Sequence, residues 1–467
     1  KSALLCFCVA ASSQAMAKNS ISDDKFRQLE ENLPTPNTYR TASGAPGHQY
    51  WQQDVDYKID ITLNDEKQTL SGSETIDYTN NSPDTLRYLW LQLDQNKLAE
   101  NASSKTTRTA PNKKVTYSGL RNAIETEAFN GGYNITQVTG SNGKDLSYVI
   151  NGTMMRIDLP KSLKSGDSVE LNINWNYQLH EQKVLGGRSG YEYFKEDDNY
   201  LYEIASWFPR AAAYYDVMGW QNKQFIGSGE FTLEFGDYDV SITVPADHVV
   251  AATGVLQNPK EVLTKTQRNR LAKAKNADKP VLVITPEEAL ANEKSRSSKT
   301  KTWEFEAKNV RDFAFASSRK FIWDAQGYKG GKTDTMAMSF YPNEGNPLWE
   351  KYSTESIIHT MEQYNKYTFD YPYPVSISVN GPVGGMEYPM ITFNGPRPTL
   401  DKETGEKTYS RATKYGLIGV IIHEVGHNYF PMIVNSDERQ WTWMDEGLNT
   451  FLQFVAEQAW EENYPSR

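Results

Sequence analysis

Residues 421 to 430 read IIHEVGHNYF and hold two of the six histidines in the chain. On an α-helix, residues four apart share one face. His423 and His427 can therefore aim two imidazoles at one metal ion. Glu424 is rotated by about 100° from His423, so its carboxylate sits beside such an ion rather than on it. A hydrolytic zinc site takes three protein ligands and keeps a fourth position open for water or substrate. Glu446, in WMDEGLNTF, follows His427 by 19 residues on the next helical pattern. Two antiparallel helices with a short connection would bring it to the open side, completing a His₂Glu set. The remaining histidines, His48, His180, His248 and His359, have no partner at ligand spacing and read as hydrogen-bonded core residues.

A second group is Gly384-Gly385-Met386-Glu387-Tyr388-Pro389. Paired glycines let a backbone approach a ligand closely, and a glutamate beside them can hold a cation. Gly-Gly is also an ordinary turn signal. This group gains a function only in the company of the metal pair.

The elements that must position these residues change character along the chain. From about Gln49 to Val255, stretches such as YKIDITLN, LRYLWLQL, SVELNINWNYQL and YDVSITVP alternate with period two and are separated by turn clusters. They predict short strands in a sandwich or saddle. Residues 256–302 are polar and Lys-rich, and read as a solvated insertion with one helical turn. After about Arg319, WEKYSTESIIHTMEQYNKYTF has helical spacing, VSISVN and ITFNG read as strands, and PVGGMEYPM reads as a tight loop. RATKYGLIGVIIHEVGHNYFPM predicts a long helix stopped near Pro431, and another helix is expected from Trp443.

GGMEYP at 384–389, HEVGH at 423–427 and WMDEG at 443–447 occur in this order. Their order and spacing resemble the zinc aminopeptidases of the aminopeptidase N family, in the gluzincin group. The detailed match spans the motif region, and the strand-rich first half fits the family's N-terminal β domain. The resemblance implies a multidomain protein, β then α+β. An antiparallel saddle-like β domain over 49–318 would precede a thermolysin-like zinc catalytic domain over 319–467. It implies one Zn²⁺ per chain on His423, His427 and Glu446. Glu424 would be general base on a zinc-activated water and later proton donor to the leaving amine. Gly384, Gly385, Met386 and Glu387 would bind substrate: Glu387 would take the free α-ammonium, and the glycine backbone would run beside the peptide as an added strand. Two residues depart from the family pattern, which has Asn where this chain has Tyr388 and Asp445. The first bears on substrate preference and the second on metal affinity through the hydrogen bonds around the ligands. The family's transition-state tyrosine, and the helical part that follows it, are expected beyond Arg467. Tyr464, Tyr429 and Tyr415 do not match its place. Trp207 and Tyr215, in SWFPRAAAYYDVMGWQ, are expected to pack in the core.

Composition narrows the partners. A net charge of −10 in 467 residues leaves no excess of Lys or Arg to neutralise phosphates, which argues against nucleic acid. Residues 1–17 combine Lys1, a short apolar run and Ala15-Met16-Ala17, as a cleaved secretory leader does. Cleavage there would remove Cys6 and Cys8 and leave 18–48 as an N-terminal segment. No later segment reaches 18 consecutive apolar residues, so no stable membrane span is expected. These readings predict an exported, periplasmic or secreted enzyme acting on peptides with a free N-terminus. A thermolysin-type endopeptidase, which would not use Glu387, and a non-catalytic peptide-binding scaffold are the alternatives.

Overall fold

The computed structural model describes residues 36–106 and 114–466. The leader-like stretch 1–17, with both cysteines, and residues 18–35 of the following segment lie outside the described residues. The chain is mostly β, arranged in several sheets, with its long helices gathered in the last third.

Period-two sequence produces one-sided burial. Along Asp54–Asn64, Val55, Tyr57, Ile59, Ile61 and Leu63 are buried and the residues between them are not. That is how a strand with one covered face behaves. This strand lies centrally in a seven-stranded sheet. It pairs antiparallel with Thr69–Thr79, Ile61 opposite Gly72, and parallel with Gly236–Pro245, Tyr57 beside Tyr238. Two four-stranded sheets built around Leu86–Gln92 and Asn199–Ile204 accompany it. Trp207 belongs to the core between them. It is fully buried, its ring centroid lies 4.7 Å from Phe208 and 5.7 Å from Phe315, and its Nε1–H donates to Phe313 O at 2.7 Å.

The second half is built on a six-stranded sheet. Its strand order is Val281–Ile284, Ile322–Tyr328, Thr335–Tyr341, Val375–Asn380, Ile391–Asn394 and Gly385–Tyr388. The pairs 335–341 with 375–380 and 375–380 with 391–394 are parallel; the outer pairs are antiparallel. The helix Leu348–Tyr367 covers one face, where Ser339 Oγ meets Ser353 Oγ at 2.7 Å and Thr354 and Tyr341 both donate to buried Asp324. Burial raises the Asp324 carboxyl to about 7. Among the described residues, no helix is long and apolar enough to cross a membrane.

Three local expectations change. Residues 256–302 form three short helices, Pro259–Val262, Lys265–Ala274 and Pro286–Asn292, rather than one helical turn. Both Thr264 and Thr285 close capping boxes, with Gln267 and Glu288. Val281–Ile284, four apolar residues inside this insertion, adds an edge strand to the second sheet. GGMEYP is no loop: Gly385–Tyr388 is the other edge strand of that sheet. The long helix stops at Gly426, before Pro431, and gives way to a wider turn over 428–433 in which Phe430 leaves helical geometry.

Trp207→Ala would remove the largest side chain of this aromatic cluster. It should destabilise the β part by about 3–5 kcal/mol, measured by urea unfolding followed by circular dichroism.

Candidate metal centre

The helix Arg411–Gly426 starts at Ser410, whose Oγ accepts from Thr413 N–H at 3.0 Å, a standard N-cap bond. Leu417, Ile418, Ile421, Ile422 and Val425 are fully buried on it. It ends where three helices crowd. A Cβ on Gly426 would stand 2.3 Å from Tyr364 Oη and 2.4 Å from Asn449 Oδ1, so a side chain there is excluded. Asn449 donates from Nδ2 to His423 O at 3.0 Å and accepts from the Tyr364 hydroxyl at 2.8 Å. It thereby joins the helices 348–367, 411–426 and 443–460.

The two imidazoles are oriented by their Nδ1 atoms. His423 Nδ1–H donates to Gln453 Oε1 at 2.8 Å, and His427 Nδ1–H donates to Phe430 O at 2.8 Å. The break in the helix at Phe430 aims that carbonyl back at the ring. Both Nε2 atoms are left with their lone pairs toward one point, 3.1 Å apart. Glu446 Oε2 completes the triangle, 3.3 Å from His423 Nε2 and 3.6 Å from His427 Nε2. Ligand atoms about 2.0–2.1 Å from a tetrahedral zinc lie about 3.3 Å from one another, so the donor set fits the ion in both chemistry and spacing. Two lone pairs and a carboxylate facing one another at these distances are mutually repulsive until a cation joins them.

Glu446 and Asp445 lie in the first turn of Trp443–Trp460, where a helix favours negative charge. Asp445 Oδ1 stands 3.3 Å from His427 Nδ1 without taking its hydrogen. Their position is set by the preceding loop, and the β part grips that loop at successive residues. Arg311 donates to Asn435 Oδ1 at 2.6 Å. Asp437 accepts from the Tyr215 hydroxyl and, at 2.6 Å, from Gln221. Glu438 accepts from Phe231 N–H at 2.6 Å. Arg439 donates to Asp94 at 2.8 Å, to Gln92 at 2.9 Å and to Gly229 O at 2.8 Å. Asp94 also pairs with buried Arg210, which bonds Asp312. Tyr215 is therefore only half-buried and works at this junction, while Trp207 keeps its core role.

The edge strand Gly385–Tyr388 faces the metal helix with alternate residues. A Cβ on Gly385 would approach Glu424 Oε1 to 2.5 Å, so the glycine permits the strand to pass directly over that carboxylate. Glu387 Oε1 lies 3.9 Å from His427 Nδ1, and Glu387, Glu424 and His427 offer three converging ligand-type atoms. Met386 and Tyr388 turn the other way and are buried, Tyr388 edge-on to Phe231 at 5.4 Å. Met386 can therefore touch a ligand only through its backbone. The strand is held by Glu203, which accepts from Val383 N–H at 2.8 Å, and by Asn428, which accepts from Met390 N–H at 2.7 Å.

The electrostatics are those of carboxylates taken out of water. Burial first, and the charges of Glu387 and Glu446 next, push Glu424 well above the ordinary carboxylate range. Burial and then Glu438 do the same to Glu387. Burial followed by Glu387 raises Asp445 to about 9, and burial followed by Glu230 raises Glu438 to about 7. Glu446 moves the opposite way, pulled down by His423 and His427, whose Nε2 atoms hydrogen-bond it when they carry a proton. Burial works to lower His427, but the bond to Glu446 and the Asp445 charge outweigh it. Arg188, which donates to Glu230 at 3.0 Å, is a cation set against this group.

The structure thus brings together His423, His427, Glu446, Glu424, Glu387 and Gly385. A Cβ on Gly384 would meet nothing within 4 Å. His180, His248 and His359 bond to Gly186 O, Ser317 Oγ and Ala456 O, away from the centre; His48 is exposed rather than in the core. Tyr464, Tyr415 and Tyr429 spend their hydroxyls on Tyr415 O, Glu461 and Asn365. Gln453, Asn449, Asp437, Glu438 and Arg188 were not singled out from the sequence. Asn449 and Gln453 carried a signal, since they lie three and seven residues after Glu446, on the same helix face.

No family model matches the chain. Aminopeptidase M1-A of Oryza sativa subsp. japonica is 26% identical over 130 residues, which are 27% of this chain and 14% of that protein. Among solved structures, the M1 zinc metallopeptidase from Deinococcus radiodurans matches with a TM-score of 0.53 and 15% identity, covering 89% of this chain and 73% of that one. A two-domain M1 zinc metallopeptidase mutant bound to L-arginine matches with a TM-score of 0.53 and 14% identity, covering 90% of this chain and 74% of that one. The fold is that of the M1 zinc metallopeptidases. Both comparisons agree with the resemblance to aminopeptidase N family zinc metallopeptidases that the three motifs carry.

Gln453→Leu would leave His423 Nδ1–H without its acceptor. Zinc affinity should fall about 10–100-fold in competition titrations against a chromophoric chelator, and Gln453→Glu should retain it.

Proposed function

We propose that the chain is a zinc-dependent aminopeptidase that hydrolyses the N-terminal peptide bond of peptides, with one zinc held by His423, His427 and Glu446. The observation that carries this is the triangle of Nε2, Nε2 and Oε2 atoms, 3.1–3.6 Å on a side, with Glu424 and Glu387 beside it. Zinc bound there would polarise the scissile carbonyl and acidify a water.

The protein's own groups do the rest. Glu424 takes the proton from the attacking water and passes it to the leaving amine. Its raised pKa is the direction a general base working near neutrality needs. Glu387 accepts the substrate's α-ammonium in a charge-assisted bond, which an N-blocked or internal residue cannot make. The outer edge of Gly385–Tyr388 offers backbone groups to an extended peptide, as exposed sheet edges do. Gly385, lacking a side chain, keeps that strand close to Glu424. Gln453 and the Phe430 carbonyl hold the imidazoles in orientation.

On this reading the β part is the saddle-like domain and the second half is thermolysin-like. The mutant M1 zinc metallopeptidase from Deinococcus radiodurans that was solved with a Tyr-Ser-Ala substrate shares the fold at a TM-score of 0.51, which supports a peptide as substrate class. The composition of residues 1–17 supports export of the protein.

The test compares an L-aminoacyl anilide with its N-acetyl twin. The free amine alone should be cleaved, and zinc chelation should abolish the cleavage. Glu424→Gln should lower kcat about 10²–10⁴-fold with zinc retained. Glu387→Ala should penalise the free-amine substrate selectively; an equal loss on blocked peptides would assign the chain to the endopeptidases.

A further inference from the structure

The six-stranded sheet has a second face that the metal centre does not use. Ala337, Ser339 and Tyr341 turn toward the helix 348–367, so Met336, Met338 and Phe340 turn the other way. They line a cavity of about 420 Å³, within the range of small-molecule sites, roughly 300–1,000 Å³. Trp303 and Phe305 of the seven-stranded sheet form the opposite wall, Trp323 stacks on Phe340 at 4.9 Å, and Leu271 of the helix Lys265–Ala274 covers one side. The buried wall is mostly apolar; its polar atoms are the Thr335 hydroxyl, which donates to Tyr373 O at 2.8 Å, the Tyr328 hydroxyl, which accepts from Asn365, and the indole N–H groups of Trp303 and Trp323.

The exposed lining residues are of another kind. Lys275, Asn276, Lys329 and Asp334 stand where the chamber meets solvent. Lys329 Nζ donates to Asn276 Oδ1 at 2.6 Å across this mouth, which leaves two ammonium hydrogens for a ligand. The covering helix and its exit carry Lys265, Arg268, Arg270, Lys273 and Lys275 between Glu261 and Asp278; Arg270 is paired with Glu288 at 2.6 Å, and Lys275 is the one of these cations that lines the chamber. Two lysines against one aspartate at the mouth of a mostly apolar chamber, in a chain of net charge −10, suit a molecule with an alkyl body and one anionic end.

We propose that this inter-sheet chamber binds a single-chain carboxylate amphiphile of the medium-chain fatty acid class, with its alkyl chain between Trp303, Met338 and Phe340 and its carboxylate at Lys329 and Lys275. The site lies on the sheet face opposite the metal helix and does not depend on the peptidase reading. The volume lies in the lower part of the range of small-molecule sites, about 300–1,000 Å³, as a medium-chain alkyl group requires. Tighter binding should accompany each added methylene, by about fourfold while the chain stays inside.

Calorimetric titration of the full chain with hexanoate, octanoate and decanoate tests this. Decanoate should bind one per chain, octanoate and hexanoate progressively more weakly, and decanol at least tenfold more weakly than decanoate. Met338→Trp, which fills the chamber, should abolish decanoate binding. Lys329→Glu, at the exposed mouth, should weaken decanoate at least tenfold and leave decanol unchanged. Thermal unfolding of each variant reports whether it folds, and Ala252→Leu fills the same chamber if Met338→Trp does not fold. Equal affinity for decanol and decanoate, binding unchanged in the filled variants, or adsorption to anionic vesicles without uptake of monomeric decanoate would each overturn the proposal.

Discussion

The candidate metal centre depends on a loop whose shape is set from outside it. Two of the candidate ligands, His423 and His427, come from the end of one helix and keep their spacing by its geometry. The third, Glu446, arrives from another helix after a connection with no regular structure between Val434 and the Thr442 cap. What fixes that connection is the β part, through Arg311, Tyr215, Gln221, Phe231 N–H, Asp94 and Gln92. Several of these bonds are buried and charged, and removing one partner from such a pair leaves an uncompensated charge that costs about 3–5 kcal/mol. The two halves of the chain are thus coupled through one loop. The β part acts as the template that brings Glu446 within 3.6 Å of both imidazoles.

The same arrangement concentrates negative charge. Glu387, Glu424, Asp445 and Glu438 are buried around His427, and burial raises each of them. A buried carboxyl either keeps its proton or, once ionised, is matched by a cation or bound metal. Here a zinc ion on His423, His427 and Glu446 and a substrate ammonium would supply positive charge from two sides, with Arg188 near a third. Charge that is costly in the ligand-free protein is therefore complementary to what the proposed reaction brings in.

Sequence reading reached the parts of this site that are local. HEVGH announces itself because four-residue spacing on a helix has one geometric meaning. The covered strands of the β part were legible for the same reason, a period of two. Glu446 was reached from the ligand count and the next helical pattern, and the role of Glu387 through the family resemblance. Short elements were lost: Gly385–Tyr388 hides between turn-forming Gly-Gly and Pro, and Val281–Ile284 is four apolar residues inside a Lys-rich stretch. The break at Phe430 follows from Pro431, which pushes the residue before it out of helical geometry, whereas the wider turn over 428–433 has no pattern of its own. Least legible was the clamp on the 434–440 loop, because Asp437 and Arg439 find partners more than 200 positions earlier in the chain.

The most direct test of the account is a crystal structure with anomalous scattering collected on both sides of the zinc absorption edge. The account predicts a single zinc peak per chain, bonded to Nε2 of His423, Nε2 of His427 and the carboxylate of Glu446, with Glu424 beside it and unbonded. A peak placed on Glu387, Glu424 and His427 instead, or no peak in protein saturated with zinc, would contradict it.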